Sequence, residues 1–144
     1  MSAMSDGVAL GLAGLLASSF LSATVLPGNS ELALIAFLRH APEWQSIALG
    51  VATLGNTAGG LTSYALGRVL PRPPPTRVFA WSQRAGPPAL LLAWVPIVGD
   101  GLCVASGWLR QSVWQALLWM AAGKLARYWI VAEGASRLLP ARAD

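Results

Sequence analysis

The sequence predicts an all-α integral membrane protein, an inverted repeat in which a re-entrant helical hairpin and one transmembrane helix occur twice. Its 144 residues are 55% hydrophobic and only 11% charged, whereas soluble domains carry about 25% charged residues. Four uncharged runs cover residues 7–30, 44–67, 85–99 and 111–123. Because a transmembrane helix needs about 20 apolar residues, these runs indicate about four hydrophobic segments in a single membrane domain, residues 1–144.

Two short stretches share one pattern, and this pattern is the reason for predicting a repeat. In each stretch an apolar run reaches a proline and an acid follows four residues later, from Pro27 to Glu31 and from Pro96 to Asp100. A glycine and a polar residue follow each acid at nearly the same distance. These pairs are Gly55-Asn56 and Gly123-Lys124. Two related Pro/Gly-broken apolar segments in the halves of a small membrane protein are typical of a transport site.

The first repeat is predicted at about residues 8–66. Its first apolar segment is broken at Pro27 and Gly28, and the next apolar run, residues 32–38, is too short to span a bilayer as a helix. We therefore expect a re-entrant hairpin whose tip contains Pro27 and Gly28. Such a tip is tolerated in a membrane where it is buried in protein or faces a cavity. The segment at about residues 47–66 then crosses the membrane.

Residues 67–88 are predicted to be a loop of cytoplasmic type, because they carry four arginines and several prolines. A short interfacial helix is expected around residues 78–81. The second repeat, at about residues 89–139, again begins with two short apolar runs, which meet around Pro96 and Gly99. Helix breakers beside an acid favour a second hairpin with its tip at those residues. One span then completes the repeat.

The orientation in the membrane follows from the hairpins and the arginines. A hairpin returns to the side from which it entered, so each repeat crosses once and both termini lie on one face. Five arginines lie on the side of the loop and three on the other side. They are Arg68, Arg72, Arg77, Arg84 and Arg110, against Arg39, Arg137 and Arg142. The positive-inside rule therefore predicts a cytoplasmic loop and periplasmic termini.

A group of charged and polar residues is expected near the middle of the membrane and is the predicted binding site. It contains Glu31, Asp100, Lys124 and Arg127, with Asn29 and Asn56 as neutral partners. Charged residues in membrane segments are costly and mark functional sites by default. Lys and Arg suit an anion such as phosphate, and a carboxylate can exchange a proton. We expect Asp100 to pair with Arg127 or Lys124. The alternative is a buried ion-pair network that only fixes helix register.

No catalytic, metal or cofactor site is predicted, and the chain is not expected to be an enzyme. The single histidine, His40, has no His or Cys neighbour at metal-ligand spacing. The net charge of +4 comes from arginines in loops and at segment ends, so no nucleic-acid partner is expected. The expected partners are membrane lipids. A homodimer that packs through small residues such as Gly11 and Gly14 is a further option.

Four stretches of the chain together carry a family resemblance. They are Ser22-Ala-Thr-Val-Leu-Pro-Gly-Asn-Ser-Glu31, Gly55-Asn-Thr-Ala-Gly-Gly60, Trp94-Val-Pro-Ile-Val-Gly-Asp-Gly-Leu-Cys103 and Gly123-Lys-Leu-Ala-Arg-Tyr128. They resemble the short YqaA-like branch of the DedA family, the VTT-domain membrane proteins. The resemblance implies a multi-pass protein of the bacterial inner membrane with two re-entrant hairpins. It also implies movement of phosphorylated lipids, such as polyprenyl phosphate, across the bilayer.

One departure from the wider family bears on the function. Larger members carry arginines at the positions where Ala93 and Gly99 stand here, so Lys124 and Arg127 would have to supply the positive charge. The leading hypothesis is a small transporter or flippase for a lipid phosphate or another anionic amphiphile, with or without proton coupling. The alternatives are a non-transporting membrane scaffold for envelope homeostasis and an ion or proton exchanger. A lateral opening lined by the two cations favours a lipid substrate, whereas a sealed ion-pair network favours the scaffold.

Overall fold

A computed structural model describes residues 2–24, 29–72, 76–95 and 97–138. These residues are helical apart from short connections, and no strand occurs among them, which confirms the predicted all-α class. The helices are α1 (Ser2–Thr24), α2 (Asn29–His40), α3 (Gln45–Val69), α4 (Arg77–Ala85), α5 (Val98–Trp108) and α6 (Val113–Leu138). Two stretches of 3-10 helix, Pro42–Trp44 and Pro87–Trp94, precede α3 and α5.

Among the described helices, α1 alone is both long and apolar enough to cross a membrane, over Asp6–Thr24. Its 23 residues rise about 34 Å, whereas the 12 residues of α2 rise about 18 Å. The two arms of the first predicted hairpin are therefore unequal. α1 packs closely along α3. A Cβ added to Gly59 of α3 would lie only 2.6 Å from the Cβ of Ala23 in α1.

The two longest helices are α3 and α6, with 25 and 26 residues. Each rises about 38 Å, which is long enough to span a bilayer, but each carries polar residues halfway along. Asn56 lies near the middle of α3, and Lys124 lies near the middle of α6. These residues lower the apolar character of both helices. The described helices thus contain one clearly apolar span, where the sequence led us to expect about four hydrophobic segments.

The first two elements of the second predicted repeat are short and packed tightly. The Pro87–Trp94 stretch and α5 have 8 and 11 residues and extend about 16 Å each, roughly half of a hydrocarbon core. α5 packs backbone to backbone against α3. A Cβ on Gly67 would lie 3.0 Å from the carbonyl carbon of Val104, and a Cβ on Gly107 would lie 3.0 Å from the Arg68 nitrogen. Glycine at both positions is what permits this contact.

The segment predicted as a loop, residues 67–88, contains α4, so the short helix expected around residues 78–81 is confirmed. The hydroxyl oxygen of Thr76 accepts a hydrogen bond from the Phe79 N–H at 3.2 Å and caps the first turn. Gly86 ends the helix with a φ of 69°, a conformation that glycine adopts readily. α4 packs against α5 and the Pro87–Trp94 stretch.

The buried apolar side chains form two clusters with the middle of the bundle between them. One cluster contains Leu15, Leu34, Ala48, Leu49, Ala52, Tyr128 and Ala132. The other contains Tyr64, Ala89, Leu90, Ala93, Leu102, Cys103, Ala116 and Met120. Early residues of α3 meet late residues of α6, and late residues of α3 meet early residues of α6, so the two helices run antiparallel. Asn56 and Lys124 lie between the clusters along both helices.

Candidate functional site

Lys124 occupies the centre of the bundle and is buried, with 2% of its surface exposed. Its ammonium group donates a hydrogen bond to the backbone carbonyl of Asn56 at 2.5 Å. A Cβ on Gly60, one turn further along α3, would lie 2.8 Å from Lys124 Nζ. The glycine therefore leaves the space in which the ammonium group lies, and the cation is bound directly to the main chain of the opposing helix.

Tyr128, one helical turn after Lys124, connects four helices through hydrogen bonds. The Asn56 side-chain amide donates to the Tyr128 hydroxyl at 2.9 Å and to the Ser22 hydroxyl at 3.2 Å. The Tyr128 hydroxyl donates in turn to the Ser30 hydroxyl at 2.9 Å. We call Ser22, Ser30, Asn56, Lys124 and Tyr128 the polar layer. It joins the end of α1 and the start of α2 to the middles of α3 and α6.

An ion pair between Glu31 and Arg127 lies at the edge of the polar layer. The side chains of Arg127 and Glu31 are 17% and 31% exposed, so the pair is much more accessible than Lys124. Glu31 belongs to the first turn of α2, where the positive end of the helix dipole stabilises a carboxylate. Arg127 follows Lys124 on α6, and the two cations thus have different environments: one is internal and the other is at the surface of the layer.

Asp100 is half-buried in the first turn of α5 and faces the same cations. It lies within electrostatic range of Lys124 and Arg127, but it forms no ion pair within 4.0 Å with any residue that the structure describes. The structure does not show the expected pairing of Asp100 with Arg127 or Lys124, because Arg127 is paired with Glu31 and the Lys124 ammonium group is bonded to the Asn56 carbonyl. The start of α2 brings Glu31 closer to Arg127 than the start of α5 brings Asp100.

The remaining residues singled out in the sequence are Gly99, Asn29, Pro27, Gly28 and Pro96. Gly99 is described and buried in α5, where a Cβ would lie 2.6 Å from the carbonyl carbon of Ala93. Asn29 begins α2, although its side chain is outside the described part of the structure. The proposed tip residues Pro27, Gly28 and Pro96 lie outside the described residues.

Sequence reasoning missed three members of the polar layer: Ser22, Ser30 and Tyr128. Tyr128 is one of several aromatic residues along the last predicted span, and some of these residues are expected at the membrane interfaces. The available signal was its spacing, because residues four apart lie on one face of a helix and Tyr128 follows the suspected site residue Lys124 by four. Ser30 directly precedes Glu31, so the same helix start that carries the acid also carries a hydroxyl.

An apolar groove of about 580 Å³ lies elsewhere, between α1 and α2. Its lining includes Gly7, Gly14, Phe37 and His40 and none of the charged site residues. Lys124 is therefore not at this opening, whereas the side chains of Glu31 and Arg127 are partly exposed outside it. Gly11 also lines the groove, and a Cβ there would lie 3.0 Å from the Phe37 ring.

Comparison with known proteins identifies clear relatives. Inner membrane protein YqaA of Escherichia coli K12 is 44% identical over 128 residues, which cover 86% of this chain and 90% of the relative. The YqaA protein of Shigella flexneri matches to the same extent. A protein of Haemophilus influenzae is 41% identical over 123 residues, 77% of this chain and 78% of its own length. No family model and no solved structure matches the chain.

Proposed function

Because the chain belongs to the family of inner membrane protein YqaA and lies in the bacterial inner membrane, we propose that it is a small transporter of flippase type. The substrate is a lipid phosphate or another anionic amphiphile, bound at Arg127 in place of the Glu31 carboxylate. The observation that carries this proposal is the ion pair itself, which is partly accessible and lies at the edge of a polar layer in mid-bundle.

The architecture proposed for this function is an inverted repeat with two re-entrant hairpins. It is supported by the positions of the helix ends. Ser22 near the end of α1 and Ser30 near the start of α2 contact the middles of α3 and α6, not their ends. Asp100, at the start of α5, also faces the middle of α6. If α3 and α6 span the membrane in opposite directions, the end of α1 and the starts of α2 and α5 lie at mid-depth.

The charges near the layer suit an anionic headgroup. The Arg127 guanidinium can bind two phosphate oxygens at once, as it does carboxylates. The first turns of α2 and α5 add the partial positive charge of helix N-termini. An incoming phosphate would take the place of the Glu31 carboxylate on Arg127.

Reconstituted liposomes test the proposal directly. The wild-type chain is expected to move a fluorescent lipid phosphate between leaflets and to leave an uncharged analogue in place. Arg127→Gln is expected to lower the rate at least tenfold, the loss that corresponds to about 1.4 kcal/mol of transition-state binding. Arg137→Gln, which removes the same charge from the exposed end of α6, is the matched control and is expected to transport normally.

A scaffold without transport is the second candidate, and the burial of Lys124 favours it. The double variant Glu31→Gln with Arg127→Gln separates the two functions, because it removes both charges together and leaves neither unpaired. A transporter is expected to fold in this form and to be inactive. Full complementation of a deletion phenotype by the well-expressed double variant would contradict transport and support the scaffold.

A further inference from the structure

α4 has two faces with different surroundings. Arg77, Trp81 and Arg84 follow one another at spacings of four and three, so they lie on one side of the helix, and all three are exposed. Phe79 and Ser82 lie on the opposite side and point into the protein, where Ser82 is fully buried. The exposed side therefore presents a large aromatic ring between two guanidinium groups.

The buried side attaches α4 to the bundle by a contact that is incompletely satisfied. The Phe79 ring lies against the Trp108 ring of α5, with 6.3 Å between the centroids. The Ser82 hydroxyl and the Trp108 indole nitrogen are both buried, and neither has a hydrogen-bond partner among the described residues. Buried donors without partners oppose docking. A helix of nine residues is also too short to be stable alone, so contact of its exposed side with a second surface would add to its stability.

The charge of this region identifies the chemistry of that second surface. No Asp or Glu occurs between residues 44 and 99, whereas the same stretch contains Arg68, Arg72, Arg77 and Arg84. Any anion that pairs with these exposed arginines therefore comes from outside the stretch. A second copy of the chain would present the same basic face, since a two-fold contact brings identical patches together. A membrane surface that contains anionic lipids supplies negative charge together with the headgroup region in which Trp side chains lie.

We propose that α4 is a binding site for anionic lipid headgroups, with Arg77 and Arg84 on lipid phosphates and Trp81 inserted between them. α4 follows the end of α3 and packs against α5, whose last residue is Trp108, so it lies at the end of the bundle where a membrane surface would be. The bound lipid holds α4 against Trp108, the last residue of α5. It thereby stabilises the outer end of the helix whose first turn carries Asp100. This inference does not depend on transport.

Amide hydrogen exchange of the full chain in nanodiscs tests the site. Residues 77–85 are expected to exchange more slowly in discs of phosphatidylcholine with phosphatidylglycerol than in discs of phosphatidylcholine alone. Arg84→Gln is expected to speed exchange in the anionic discs about fivefold, the factor that corresponds to about 1 kcal/mol per arginine at an anionic surface. Trp81→Ala is expected to weaken protection in the same way. Arg137→Gln is the control of equal charge and is expected to have no effect on α4.

Three results would overturn the proposal. Equal protection of α4 in the two kinds of disc would mean that α5 alone holds the helix. Protection that rises with the number of chains per disc, and not with phosphatidylglycerol, would assign the face to a second copy. Insensitivity to Arg84→Gln and to added salt in anionic discs would exclude headgroup binding, because an electrostatic contact at a surface weakens as salt is added.

Discussion

Ser30 and Gly99 occupy the same place in the two repeated stretches, three residues after the proline and directly before the acid. Ser30 accepts a hydrogen bond from Tyr128, and Glu31 beside it is paired with Arg127. Gly99 is instead packed against the backbone of Ala93. The start of α2 is therefore held by polar side chains, and the start of α5 is held by close backbone contact.

This difference leaves the two acids with different freedom. Glu31 has a cation as its direct partner, whereas Asp100 faces two cations at a greater distance without an ion pair among the described residues. A matched sequence pattern thus does not imply matched roles. In the proposed transport an anion would therefore exchange with Glu31, which has the direct partner, and not with Asp100.

The largest effect is expected where the backbone contact between Gly99 and Ala93 is broken. Gly99→Ala would place a Cβ 2.6 Å from the Ala93 carbonyl carbon, and such overpacking costs about 3 kcal/mol of unfolding free energy, near the upper end of its usual range. Gly101→Ala, two residues away in α5, has nothing within 4 Å of the added Cβ. It is expected to be neutral or to stabilise by up to about 1 kcal/mol. Thermal unfolding in nanodiscs measures both, and equal losses would refute the backbone contact.

The next effect concerns the two acids. Glu31→Gln leaves Arg127 without its partner, and the expected loss is about 2 kcal/mol, between the values for exposed and buried pairs. Asp100→Asn is expected to cost less than about 1 kcal/mol, because no direct ion pair is lost. A double-mutant cycle between Glu31 and Arg127 is expected to give a coupling energy above about 0.5 kcal/mol, and the cycle between Asp100 and Arg127 a smaller one. The reverse order would show that Asp100 is the true partner in the membrane.

The smallest effect compares the only two tyrosines of the chain. Tyr128→Phe removes a hydroxyl that both accepts and donates, from Asn56 and to Ser30, so a loss of about 1.5–2 kcal/mol is expected. Tyr64→Phe removes only the hydrogen bond to the backbone carbonyl of Gln111, between α5 and α6, with an expected loss of about 1 kcal/mol. Chemical unfolding of the two variants in the same detergent provides the comparison. If Tyr128→Phe is as stable as the wild type, the polar layer contributes specificity and no stability.

Composition and run length alone determined that this chain is a helical membrane protein, because both depend on the residues present and not on their arrangement in space. The sequence also pointed to several polar residues that lie together in the fold. Glu31, Asn56, Lys124 and Arg127 stood out because polar residues are rare in such segments, and the structure places all four at or beside the polar layer. The short helix α4 could likewise be expected from its local sequence.

The choice of partners was decided only by the tertiary structure. The bonds of the polar layer join residues 34 to 98 positions apart in α1, α2, α3 and α6, and the pattern of one segment contains no information on the distance to another. For that reason Tyr128 could not be told from the other aromatic residues of its segment, and Asp100 was predicted as the partner of Arg127 or Lys124. The positions at which α2 and α5 begin decide which carboxylate reaches the guanidinium, and Glu31 is the one that forms the ion pair.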